Sequence, residues 1–146
     1  MIEMDHEAAK DGTIGVNCFY VDGYQPVEIK YPSVDNYDPA TWQKIFNYIE
    51  SYVTSVFALL HNQNQGVVLN GQTVYLNDLL DDDSLIDFLL VNEIMGNFDS
   101  KEKSIYMYRH SQASGKEKSG RLRFGPVWDF DASAIKKWRQ YDADLA

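Results

Sequence analysis

The chain has 146 residues, 45% hydrophobic and 24% charged, the usage of one globular domain with a single core rather than of a disordered chain. Its 22 acidic and 13 basic residues leave a net charge of −9, so the surface carries no electrostatic footprint for nucleic acid. Cys18 is the single cysteine, which excludes an internal disulfide and a Cys-based zinc site. No apolar stretch approaches the roughly 20 residues needed for a membrane span, and the charged Met1–Lys10 segment does not read as a signal peptide.

In chain order, the first 31 residues read as short strands. Ile14–Val21 and Gln25–Tyr31 are rich in β-branched and aromatic residues, and Asp22-Gly23 between them is a hairpin signal. Cys18 falls inside the first run and is expected to be buried as a small apolar residue. Pro32–Pro39 reads as a polar loop, after which Asp38 as N-cap and Pro39 at the first helical position open a helix. Trp42, Ile45, Phe46, Ile49, Val53, Val56, Phe57 and Leu60 recur at spacings of three and four, placing a core stripe on one face. This helix should end near His61–Asn64.

Asn70-Gly71 suggests a turn, with a short hairpin inside Val67–Leu76. The Asp81–Asp83 run reads as solvated charge favoured by the helix macrodipole, and Asp83 or Ser84 caps a second helix running to about Met95. Its apolar residues Leu85, Ile86, Leu89, Leu90, Ile94 and Met95 lie on more than one side, which predicts a centrally buried helix. Gly96 suits a left-handed C′ position. Two strands follow, Ser104–Arg109 and Leu122–Val127, joined by a Ser/Gly/Lys-rich stretch, His110–Gly120, that reads as a mobile loop. The basic residues Lys116, Lys118, Arg121 and Arg123 around it read as a solvated face. A tail, with a helix start at Ile135–Trp138, completes an α+β chain. His6, His61 and His110 have no metal-ligand spacing.

Asp99 lies in the loop after the second helix, and Asp129 and Asp131 lie just past the second of the two later strands. An antiparallel hairpin returns its chain, so residues entering its first strand and leaving its second lie at one end. Carboxylates converging there would repel without a cation between them, and oxygen ligands suit Mg²⁺ or Mn²⁺, and also Ca²⁺. Protein kinases use the same order: a catalytic-loop Asp, a metal-holding Asn five residues on, then an Asp-Phe pair whose Asp grips Mg²⁺. Here Asp99 is followed five positions on by Ser104, and then by Asp129-Phe130. Without such a pattern, Asp99 and Asp129 read as turn or cap residues, and Glu93 as a residue at the exposed margin of its helix.

The run Asp83-Ser84-Leu85-Ile86-Asp87-Phe88-Leu89-Leu90-Val91-Asn92-Glu93, then Gly96-Asn97-Phe98-Asp99, resembles the CotH (spore-coat-protein-H) family of atypical kinases. The likeness continues through Ser104-Ile105-Tyr106-Met107-Tyr108 and closes on Phe124-Gly125-Pro126-Val127-Trp128-Asp129-Phe130-Asp131. Glu28-Ile29-Lys30-Tyr31-Pro32 and the amphipathic helix after it also fit. The resemblance implies a partial protein-kinase-like fold, mainly the C-terminal lobe, with short antiparallel strands and two main helices. Residues 1–37 would be inter-lobe strands and loop, 38–131 the helical lobe with its catalytic hairpin, and 132–146 a tail.

It implies ATP as phosphoryl donor, Mg²⁺ or Mn²⁺, and a protein substrate bearing a hydroxyl side chain, often outside the cytoplasm. Asp99 would match the catalytic Asp and Asp129 the metal-binding Asp. Asp131 would be a second metal-proximal acid, with Asn97, Glu93 and Ser104 in support. Ser104 where Asn is usual, and Ala132-Ser133-Ala134 after the closing motif, depart from the pattern. No Gly-rich phosphate loop precedes residue 38, and Lys30 sits in the wrong place for a phosphate-pairing strand lysine. The 146 residues alone are therefore expected to bind nucleotide poorly and to expose an apolar face open to self-association. The alternative is a non-catalytic cell-surface or scaffold module that keeps the fold.

Overall fold

The computed structural model describes residues 1–8, 12–62, 65–97, 100, 103–110 and 120–130. Asp99, Asp131, most of the His110–Gly120 loop and the tail from 131 onward lie outside these described residues. The chain is α+β. Strands β1 (Ile2–Met4), β2 (Cys18–Val21), β3 (Gln25–Ile29), β6 (Ile105–Arg109) and β7 (Leu122–Phe124) form one antiparallel sheet in the order β2-β3-β1-β6-β7. Between β3 and β6 run helix α1 (Pro39–His61), the hairpin β4 (Val67–Leu69) and β5 (Gln72–Val74), the single turn α2 (Leu76–Leu79) and helix α3 (Asp82–Met95).

Local chemistry explains most boundaries. Asp22 and Gly23 both take positive φ at the β2–β3 turn, as do Asn70 and Gly71 at the β4–β5 turn, which is the geometry of tight hairpin turns. Asp38 caps α1 by accepting from the Ala40 and Thr41 amides at 3.1 and 3.0 Å, with Pro39 behind it. The strand expected from Ile14 starts only at Cys18, because Gly15 adopts φ +80° and the chain turns there, its amide donating to the Cys18 carbonyl. The strand expected to reach Val127 stops at Phe124, since Gly125 takes φ +115° and Pro126 has no N–H to donate.

The register sorts the sheet into two faces. Ile2, Met4, Val27, Ile29, Ile105 and Met107 are paired across β3, β1 and β6 and point into the core, where they meet the apolar side of α1. That side is built on Trp42, Phe46, Val53, Val56 and Leu59, with Ile45, Ile49, Phe57 and Leu60 packed at its margins. Tyr52, outside the predicted stripe, is also buried; its hydroxyl donates to the carbonyls of Leu79 and Gly120 at 2.7 and 3.0 Å, fastening α1 to the β6–β7 return. Cys18 is fully buried, and that burial pushes its thiol pKa up.

Helix α3 departs from expectation. It is not centrally buried: Ile86, Leu89, Leu90 and Ile94 are each more than half exposed, and Ile94 reaches 79%. Its buried residues are Ser84, Phe88 and Asn92, one turn apart on a single face. The run at its start is solvated at Asp82 and Asp83, as expected, but not at Asp81. Asp81, not Asp83, is the N-cap; it is 1% exposed and pairs with the Arg123 guanidinium at 3.2 Å. Arg123 therefore turns inward from the basic group that was read as solvated. Replacing Phe88 with Ala should cost about 3–5 kcal/mol in urea unfolding, whereas Ile94→Lys should change stability by about 0.5 kcal/mol or less. The reverse ranking would mean that the other face of α3 is the packed one.

Candidate functional site

The β6–β7 hairpin brings Ser104, which enters β6, to Asp129, which follows β7. The Ser104 hydroxyl donates to the Asp129 carboxylate at 3.2 Å. Both residues occupy the left-handed region, at φ 57° and 60°, a conformation that short polar side chains tolerate better than most but that still costs energy for a non-glycine residue.

Helix α3 carries the second wall. Gly96 ends it in the left-handed conformation, φ 62° and ψ 36°, with its amide bonded to the Asn92 and Glu93 carbonyls. The chain then places Asn97, only 3% exposed, beneath the hairpin. The Asn97 amide nitrogen donates to the Asn92 side-chain oxygen at 3.0 Å and to the Trp128 carbonyl at 3.4 Å. Asn92 in turn donates to the Phe88 carbonyl at 2.8 Å, and the Ser100 hydroxyl donates to the Asn97 carbonyl at 2.7 Å. The Asn97 side-chain oxygen is buried and has no hydrogen-bond partner among the described residues. An orphaned acceptor of this kind usually answers to a water, an ion or a ligand.

Of the sequence candidates, Ser104, Asn97 and Asp129 therefore gather around one hairpin end. Glu93 is on the exposed side of α3, at the rim of a cavity shared with Asn92, Asn97 and Ser100. Asp99 and Asp131 lie outside the described residues. Asn92, hardly weighed in the sequence, turns out to anchor Asn97; its signal was a polar residue four positions after Phe88 and eight after Ser84. Among the described residues, the one grouping of three acids close enough to share an ion is Asp81–Asp83, but Asp81 already pairs with Arg123.

Lys30 lies one residue beyond β3, not inside a strand. It bonds Glu28 at 2.6 Å and Glu3 at 2.9 Å on the sheet face opposite the core. Burial of the ammonium works against its charge, but the two carboxylates outweigh it and raise the pKa. Burial and the hydrogen bond to Glu3 push Tyr106 up from 10.0 to about 12.

An α+β fold whose late hairpin brings a serine and an aspartate together at one end is consistent with part of a kinase-like protein. A family model described as CotH kinase protein matches residues 10–145, and the chain belongs to that family. No curated protein and no solved structure matches the chain.

Both Lys30 and Tyr106 hold their protons more tightly when folded, so their contribution is complete below the unfolded values of 10.5 and 10.0. It is lost as pH rises through the folded ones. Unfolding midpoints should thus fall as pH climbs from 10.0 towards 12, and Tyr106→Phe should flatten that fall. An alkaline profile identical in the variant would remove Tyr106 from the account.

Proposed function

We propose that these residues supply the metal- and phosphate-handling side of an ATP-dependent phosphotransferase acting on a hydroxyl of a protein substrate. The observation that carries this reading is the contact between Ser104 and Asp129, two left-handed residues meeting at one hairpin end beside a buried, unpartnered Asn97 oxygen. The donor set there is all oxygen, which suits Mg²⁺ or Mn²⁺ better than zinc. In this reading Asp129 is the principal metal ligand, Asp131 a second acid near it, and Ser104 a weaker neutral ligand. A bound divalent ion would neutralise charge on the transferring phosphoryl group.

Asp99 is assigned the task of orienting the acceptor hydroxyl and taking its proton as the new O–P bond forms and the bond from the γ-phosphorus to ADP breaks. Asn97 holds the hairpin end through the Trp128 carbonyl, and Glu93 supports from the rim. Most of the rate would come from positioning and charge stabilisation. By themselves the 146 residues should turn over little, since their sequence holds no Gly-rich phosphate loop and Lys30 is committed to Glu3 and Glu28.

A second reading, a non-catalytic binding module, is favoured by the outward apolar residues of α3. Self-association would use that same face, although Asp82, Asp83, Asp87 and Glu93 on a helix with no basic residue oppose a second copy meeting it helix to helix. The two readings part on mutation. In the full-length protein, Asp99→Ala and Asp129→Ala should each reduce phosphate transfer to a protein substrate by about a hundredfold or more. In the 146-residue chain, Asp129→Asn should weaken Mn²⁺ binding measured by paramagnetic titration. Transfer unaffected by either substitution, with unchanged Mn²⁺ binding, would leave the binding module as the surviving account.

A further inference from the structure

At the far end of β6, five residues from Ser104 and so about 17 Å away along the strand, lies a cleft of about 230 Å³. Ile2, Ile49, Val53, Met107 and Leu122 form its floor, and Tyr31, Tyr48, Tyr52 and Tyr108 its walls. Arg109 is the one basic side chain in that lining. Its guanidinium lies 4.4 Å from the ring centre of Tyr52 and 5.7 Å from that of Tyr48. The Nε donates to the Gly120 carbonyl and Nη1 to the Tyr48 hydroxyl.

Donor capacity is left over. Nη2 of Arg109 has no hydrogen-bond partner among the described residues, and the Tyr48 hydroxyl, which accepts from Nη1, has no acceptor there for its own proton. Nor does any described carboxylate pair with Arg109, in a chain with nine more acidic than basic residues. A half-buried cation lying over two tyrosine rings, with donors unspent and no carboxylate partner among the described residues, is complementary to an anion. The Arg109 guanidinium and the Met1 α-ammonium, which donates to the Tyr31 carbonyl at 2.7 Å, both line the cleft and favour an anionic head, and the apolar floor suits an apolar body. The small volume, below the usual range for drug-sized ligands, limits that body to about one ring.

We infer that this cleft binds a small carboxylate with an aromatic body, the ring lying against Ile49 and the exposed Tyr31 and Tyr48 side chains and the carboxylate accepting from Arg109 Nη2 and the Tyr48 hydroxyl. The site is separate from the Ser104–Asp129 hairpin end and does not rest on the phosphotransfer reading.

The test titrates 3-phenylpropionate, and separately its uncharged amide, into the whole 146-residue chain while amide chemical shifts are followed by NMR. The acid should bind saturably, with shifts confined to residues around Arg109, Tyr48 and Ile49. The amide should bind at least about tenfold more weakly, the acid should bind Arg109→Gln no better than the amide binds wild type, and Tyr48→Phe should weaken it several-fold. Asp129→Asn should leave acid binding unchanged. Should Arg109→Gln fail to fold, the acid–amide contrast in the wild type and the Tyr48→Phe variant decide the matter. No saturable binding of the acid, or equal binding of acid and amide, would overturn the inference and leave Arg109 as a structural clamp between α1 and the β6–β7 return.

Discussion

The attachment of α3 to β7 underlies the placement of Asn97 beside the Trp128 carbonyl, at the hairpin end where Ser104 meets Asp129. It is made by three side chains spaced one helical turn apart. The Ser84 hydroxyl donates to the Asp81 carbonyl at 2.6 Å and accepts from the Phe124 amide at 3.1 Å. The Phe88 and Phe124 rings meet at 5.8 Å. Asn92 holds Asn97, which reaches the Trp128 carbonyl. Residues four apart lie in one row along a helix, so the strand and the segment after it are gripped along the length of α3. Because Ser84 and Asn92 are buried polar groups, sliding the strand would strand hydrogen-bonding atoms, at about 1–3 kcal/mol each.

The opposite end of the hairpin is held from the other side. Tyr52 on α1 and Arg109 on β6 both donate to the Gly120 carbonyl, and Arg123 pairs with the buried Asp81 at the start of α3. With these anchors in place, the Ser104–Asp129 end can hold two residues in the left-handed region. Strain of that kind persists only where the surroundings over-determine the backbone. The Asn97 oxygen, without a hydrogen-bond partner among the described residues, sits on the same scaffold.

Much of this was legible locally. Asp38-Pro39 opens α1 where its chemistry says it should, Asp22-Gly23 and Asn70-Gly71 make their turns, and Gly96 closes α3 in the left-handed conformation. The chain reversal that joins Ser104 to Asp129 followed from hairpin geometry. Other features had no local signal. The three-residue β1 inserts between β3 and β6, far from both in sequence, and creates the five-stranded sheet. The apolar richness of α3 suggested a buried helix, yet its inner row is Ser84, Phe88 and Asn92, and Ile86, Leu89, Leu90 and Ile94 face outward. Lys30 was set aside on grounds of family pattern, and only the pairing of β1 with β3 shows that Glu3 and Glu28 claim it.

The amino-acid order by itself therefore determined the two long helices, the hairpin turns, the family and the end of the late hairpin at which Ser104 and Asp129 meet. These depend on φ/ψ preferences, capping and periodicity that act within a few residues. The folded chain alone decided which side of α3 is inner, which acid receives Arg123 and which carboxylates hold Lys30. Those outcomes depend on which distant surfaces are removed from water together, and no short stretch of sequence carries that information.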